Sequence, residues 1–251
     1  MSAAPRLDRI VRHPVKSVGY EDLAEATLSP GRPLPGDRAW AVAHAAAVLP
    51  ADGGWAPKMH FLRGVAGPEL MAIRAETAAD GRLSLTHPRA GRLEFDPATE
   101  GDRLVAWLAP LWPEGRPAPA RLVPAPPTGL GDCPDPFVAV LSQSSLRALG
   151  QRMGRDLSIH RFRGNLWLDG LAPWEEFDQL GKRLRIGPAL LAVRAPITRC
   201  KATTTNPETG RVDADTLAAL EAGYGHNDFG VYAEVLEGGT IRPGAMVELV
   251  P

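Results

Sequence analysis

Proline and glycine constrain this chain more than any other feature. Its 251 residues include 25 prolines and 26 glycines, and eight of the prolines fall between Pro113 and Pro136. Proline lacks an amide N–H and fixes φ, so it is kept out of helix interiors and central strands. Glycine supplies the turns between short segments. The result is a chain of short runs that favours strands over long helices. Strands are expected at Leu7–His13, Ala24–Leu28, Ala39–Val42, Leu70–Ala75, Leu83–His87 and Arg92–Phe95, with an edge strand at Arg121–Val123. Further strands are expected at Phe137–Leu141, Leu166–Leu168, Leu180–Ile186, Leu190–Val193 (ending at Pro196), Phe229–Leu236 and Ile241–Leu249. Leu104, Trp107, Leu108 and Leu111 have helical spacing. Ser142 reads as the N-cap of a helix to Gly150, and Asp213 as the cap of a helix to Leu220. Residues 44–68 read as irregular. The expectation is a β-rich α+β chain in two domains, 1–115 and 116–251, joined through the proline-rich stretch.

Composition excludes several classes of function. A formal net charge of −1 argues against a generic nucleic-acid binder. No apolar run approaches the length of a membrane span, and the N-terminus has no secretory apolar core. Two cysteines make no disulfide framework, which suits a reducing, cytoplasmic setting.

One of those two, Cys200, lies between Arg199 and Lys201. Positive neighbours favour thiolate over thiol, and thiolate is the form that attacks electrophiles or binds a soft metal. The turn Asn206-Pro-Glu-Thr-Gly210 follows it, so Cys200 is expected on a loop at a strand end. A plain buried cysteine is the competing reading. Cys133 sits in Gly-Asp-Cys-Pro-Asp-Pro, where neighbouring carboxylates should raise its pKa and make it the poorer nucleophile. Glu175 and Glu176 are adjacent, do not converge on one point, and read as surface charges.

Thr198-Arg-Cys-Lys-Ala-Thr-Thr-Thr-Asn-Pro-Glu-Thr-Gly210 resembles the cysteine signature of MOSC domains. It is most like the branch with the amidoxime-reducing component and bacterial reductases of N-hydroxylated compounds. Pro14-Val-Lys-Ser17 followed by Gly36-Asp-Arg-Ala-Trp40 resembles the β-domain that precedes MOSC in that family. His160-Arg-Phe-Arg-Gly-Asn165 is similar to its Phe-Arg-Pro-Asn element, with Gly164 in place of proline, a change expected to loosen the backbone.

The resemblance implies an N-terminal β-domain packed on a MOSC β-barrel, with Cys200 ligating molybdenum and acting in catalysis. Lys16, Ser17, Arg38, Ser142, Arg163, Asn165, Thr198 and Arg199 would hold the molybdopterin cofactor. Arginine forks and a helix N-terminus match its phosphate. The implied reaction is reduction of hydroxylamines, amidoximes or N-hydroxylated bases, with electrons from a separate iron–sulfur, flavin or haem protein. The alternative is a non-enzymatic carrier of the cofactor, or of its sulfur on Cys200. Any pyridoxal phosphate would belong to a separate sulfurase partner, not to this chain. A cysteine hydrolase ranks last, since no histidine pairs with Cys200 in the sequence.

Overall fold

A computed structural model describes residues 4–250. Residues 1–3, part of the segment read for a leader, and residue 251 lie outside the described residues. In chain order the N-terminal strands are β1 (Arg6–Arg12), β2 (Glu21–Leu23), β3 (Ala26–Leu28), β4 (Trp40–His44), β5 (Arg74–Thr77), β6 (Leu83–His87) and β7 (Gly91–Phe95). Helix α1 (Gly101–Leu108) and β8 (Pro119–Pro124) lead into β9 (Val138–Ser142), α2 (Gln143–Arg152) and β10 (Leu166–Asp169). The chain ends through β11 (Arg183–Ile186), β12 (Ala189–Thr198), α3 (Thr216–Tyr224), β13 (Asp228–Glu237), β14 (Gly239–Ile241) and β15 (Val247–Val250).

Eight strands form one mixed sheet in the order β15-β11-β12-β13-β9-β10-β1-β2, and the remainder form three small sheets. Strand β9 explains why the sheet holds. It is flanked by β10 in parallel and β13 in antiparallel, and all five of its residues are buried. Its alternation divides between two cores. Val138 and Val140 pack with Leu7, Leu166, Leu191 and Val231 on one face, and Ala139 and Leu141 with Leu146, Leu149, Trp167 and Phe229 on the other. A strand covered on both faces reads as a continuous apolar run, which is how Val138-Ala-Val-Leu141 reads. A third core, around Leu62, Leu70, Leu85, Phe95 and Leu104, belongs to the N-terminal unit. Strands β1 and β2 lie within residues 1–115 yet pair in the large sheet, with Ile10 opposite Leu166 of β10.

Several local expectations change. Residues 68–72 form a 3-10 turn led by Pro68, and the strand begins only at Arg74. Of the segment Ala24–Leu28 only Ala26–Leu28 is strand, β3, which pairs with β14, whereas β2 ends at Leu23 and pairs in the large sheet. Strand β12 continues through Pro196 to Thr198. Its pairing with β11 covers Ala189–Ala192 and its hydrogen bonds on that side end at Val193, which meets Lys182 and Gly181, so beyond that point no strand pairs on that side, and register shifts flank Pro196. There a missing N–H breaks no ladder. The cap of α3 is Asp215, whose carboxylate accepts from the Ala218 amide, and not Asp213. Glu176 is not a surface charge: it is 1% exposed, and its carboxylate accepts the Ser145 hydroxyl at 2.8 Å. Gly164 is not a loosening residue either. A Cβ there would stand 2.2 Å from a methyl of fully buried Leu141, so the position requires glycine for close packing.

Candidate functional site

A cavity of about 200 Å³ opens between the N-terminal unit and the large sheet. Lys16, Ser17, Arg38, Arg163, Asn165, Thr198, Arg199 and Cys200 all line it. Residues that are distant in sequence are therefore gathered by the fold. Ser142 is not among them. It lies at the far end of β9 from Ala139, the β9 residue on the cavity wall. Its hydroxyl is fully buried and caps α2 by accepting the Ser145 amide. No residue of α2 lines the cavity.

Two of the cations carry their own counter-ions. The ammonium of Lys16 is buried and donates to the carbonyls of Leu130 (2.9 Å) and Gly131 (3.1 Å) and to Asp132 Oδ1 (2.7 Å). Burial lowers the Lys16 pKa, which the Asp132 charge partly offsets. Burial alone would raise Asp132, but the Lys16 ammonium beside it holds that carboxyl at about 2. Arg38 pairs with buried Asp37 and donates to the Arg163 carbonyl at 2.9 Å. Asp37 also accepts the His13 amide at 2.8 Å and lies 3.3 Å from the His13 ring nitrogen. Burial opposes the Asp37 charge, yet the Arg38 guanidinium and the His13 hydrogen bond hold its pKa well below the carboxylate range. Neither carboxylate stands out in the sequence. Asp37 lies inside the Gly-Asp-Arg element, which by itself reads as a turn.

Arg199 is anchored by the carbonyls of Phe229 (2.7 Å) and Phe162 (2.8 Å), with both rings about it. The Asn165 amide bridges Val11 and Ala139, and Thr198 donates to Asp228. Arg163 differs. One nitrogen reaches the Gly19 carbonyl at 3.2 Å, while Nη2 is buried without a partner. Burial, followed by the Arg38 charge, lowers its pKa to about 9. Neighbouring Arg161, 3% exposed and also on the cavity wall, has a buried Nε without a partner. An unpartnered buried donor costs about 1–3 kcal/mol. The protein itself supplies neither donor with an acceptor.

Cys200 is exposed at the cavity and starts the 3-10 turn Lys201–Thr204. Cys133 lines the same cavity with a raised pKa, first through burial and then through the charges of Asp135 and Asp132. Among the described residues no trio of His, Cys, Asp or Glu could hold a metal alone. A single thiol therefore suits a metal whose other ligands come from a cofactor. One soft donor beside unspent guanidinium donors fits a phosphate-bearing dithiolene.

Three lining residues, Ser17, Arg38 and Arg163, have left-handed backbones with φ of 62°, 47° and 47°. Non-glycine residues there carry strain of about 1–2 kcal/mol each. Ser17→Gly is expected to raise stability by about 0.5–1 kcal/mol, read as a higher urea midpoint. A lower midpoint would mean that the serine side chain contributes more than its backbone strain costs.

Residues 130–248 match the MOSC domain, and residues 4–108 match the MOSC N-terminal beta barrel domain. The chain belongs to the MOSC-domain family. It is 26% identical over 247 residues to the molybdenum cofactor sulfurase of Drosophila mojavensis, covering 91% of this chain and 32% of that protein. To the sulfurase of Drosophila grimshawi it is 35% identical over 94 residues, covering 37% of this chain and 12% of that one. The chain thus spans a third or less of the length of these relatives. The YUAD protein of Bacillus subtilis aligns over 98% of this chain and 96% of its own, with a TM-score of 0.48 and 12% identity. YiiM of Geobacillus stearothermophilus covers 45% of this chain and 54% of its own, with a TM-score of 0.34 and 26% identity. Among the described residues no helix is long and apolar enough to cross a membrane.

Proposed function

We propose that the chain binds the molybdenum cofactor in this cavity and reduces N-hydroxylated compounds with electrons from a separate redox protein. The observation that carries this reading is an exposed thiol on the same wall as two buried guanidinium donors without partners. Cys200 would hold the metal as thiolate. Arg163 and Arg161 would meet the phosphate or pterin, while Arg38 and Lys16, each paired with a carboxylate, would line the same wall. Two-electron removal of oxygen from an N–OH group is the chemistry the cofactor supplies when bound. Two electrons and two protons convert an amidoxime to an amidine and water. The chain's own part is to hold the group, neutralise its charge and exclude bulk water. A reducing, cytoplasmic setting suits two free thiols.

The test uses protein made in a host that synthesises the cofactor. Stoichiometric molybdenum by elemental analysis and turnover of benzamidoxime with a dye-reduced preparation are expected. Metal-loaded but inactive protein that donates cofactor to an apo-enzyme would favour the carrier instead. Arg163→Ala is expected to lose cofactor roughly ten- to a hundredfold more readily on dilution, the loss of a charge-assisted hydrogen bond. Unchanged retention would remove Arg163 from the pocket.

A further inference from the structure

We propose that Arg161 is a positioning residue that couples an oxyanion in the cavity to the order of the loop carrying Cys200. The inference rests on the cavity reading above and goes beyond it. The guanidinium of Arg161 grips that loop twice. Nη1 donates to the Thr204 carbonyl at 3.3 Å, and Nη2 lies 2.7 Å from Asp213 Oδ1. Thr204 ends the 3-10 turn that begins at Cys200, and its carbonyl also accepts the Asp213 amide at 3.1 Å. The turn is tied back to Cys200 itself, because the Thr203 hydroxyl donates to the Cys200 carbonyl at 3.1 Å. Asp213 gathers the far end of the loop: its second oxygen accepts from Arg155 at 2.9 Å and from Asn206 at 3.0 Å.

The third group of the fork, Nε, is the one left without a partner, and the side chain lines the cavity next to Arg163. A guanidinium is one rigid plane, so a ligand that engages Nε fixes the orientation of both Nη groups. A tetrahedral oxyanion drawn to the unspent donors of Arg161 and Arg163 therefore stiffens the residue 200–213 loop. By linkage, the loop in its ordered form raises anion affinity by the same factor. Cys200 would then be set in place by the same event that fills the phosphate end of the cavity.

The experiment uses the full chain from a host that makes no cofactor, with inorganic phosphate as the probe. Amide hydrogen exchange of residues 200–214 is followed with and without saturating phosphate, and thermal stability reports whether phosphate binds. Wild type is expected to exchange about threefold more slowly, or better, when phosphate is bound. Arg161→Lys keeps the charge but cannot bridge Thr204, Asp213 and an anion in one plane, so it should bind phosphate more weakly and, at saturating phosphate, show no slowing in that segment. Asp213→Asn, which keeps shape and removes the loop's half of the ion pair, should lose most of the slowing and serves if Arg161→Lys fails to fold. Bound phosphate without slowing in wild type would overturn the coupling while leaving the cofactor reading intact. Equal slowing in Arg161→Lys or in Asp213→Asn would also overturn it. If phosphate does not raise wild-type stability at all, the anion pocket itself is wrong, and molybdenum content of loaded protein then shows whether the cofactor reading survives separately.

Discussion

Cys200→Ser is expected to abolish reduction of benzamidoxime while leaving the fold unchanged. Cys200 is exposed at the head of a short turn, and its sulfur packs into none of the apolar cores. Serine fits the same space. What it lacks is a thiolate: a hydroxyl is a harder donor and stays protonated far more readily, so the metal would lose its one soft protein ligand. The expected loss is at least about a thousandfold in kcat/KM, equivalent to roughly 4 kcal/mol of transition-state stabilisation. Partial retention of pterin is expected beside it, because the arginine contacts do not involve residue 200. Equal turnover in serine variant and wild type, each normalised to bound molybdenum, would sink the proposed mechanism.

The second large effect lies away from the cavity. Glu176→Gln is expected to stabilise the protein above neutral pH. The Glu176 carboxyl is 1% exposed, and Oε1 has no partner. Burial, then the nearby Glu175 and Asp178 charges, raise its pKa to about 7, against the hydrogen bond from Ser145. The unfolded chain releases this proton near its ordinary value of about 4.3. The folded state therefore binds more protons between those two values, and stability falls as pH rises through that window. Above pH 7 the ionised, half-partnered carboxylate costs up to about 4 kcal/mol, since a tenfold change in proton affinity is worth about 1.4 kcal/mol. Glutamine removes the charge, and its carbonyl still accepts from Ser145. Urea unfolding at pH 8 should show the variant more stable by about 1–3 kcal/mol, with the two proteins converging below about pH 4.5. Matching midpoints at pH 8 would mean that Glu176 is hydrated or paired in solution.

Much of the architecture was legible because strands and caps are local. The apolar run at residues 138–141, the alternation at Leu83–His87 and the Ser142 cap each follow from a few neighbouring residues. The loop placement of Cys200 follows from the turn composition after it. The counter-ions were not legible. Lys16 and Asp132 are 116 positions apart, and nothing near either residue announces the other. Arg161 stands inside a run whose resemblance draws attention to Arg163, although both are buried donors on the same wall. Glu176 escapes because its segment is a 3-10 turn at the helix α2 cap, where the Ser145 hydroxyl offers a place for a carboxylate that no sequence spacing reveals. Ser142 is a sound cap and a poor guide to the cavity, since a helix N-terminus shows from sequence alone but its direction does not.

The pairing of β1 with β10 has a consequence for how the molecule comes to exist. Ile10 lies opposite Leu166 and Arg6 opposite Asp169, so β1 is completed by a strand made long afterwards. On the ribosome, Leu7 and Ile10 must wait without their final neighbours while the whole N-terminal unit is synthesised. That unit has its own core around Leu62 and Phe95 and can close meanwhile, but the large sheet cannot. Loop closure over such a span is slow compared with hairpin formation. The cavity, lined by Lys16 and Ser17 just beyond β1 and by Arg163 and Asn165 just before β10, is thus assembled by the closing step itself. A newborn chain has no half-built cavity to fill, and any ligand meets the finished cavity or none.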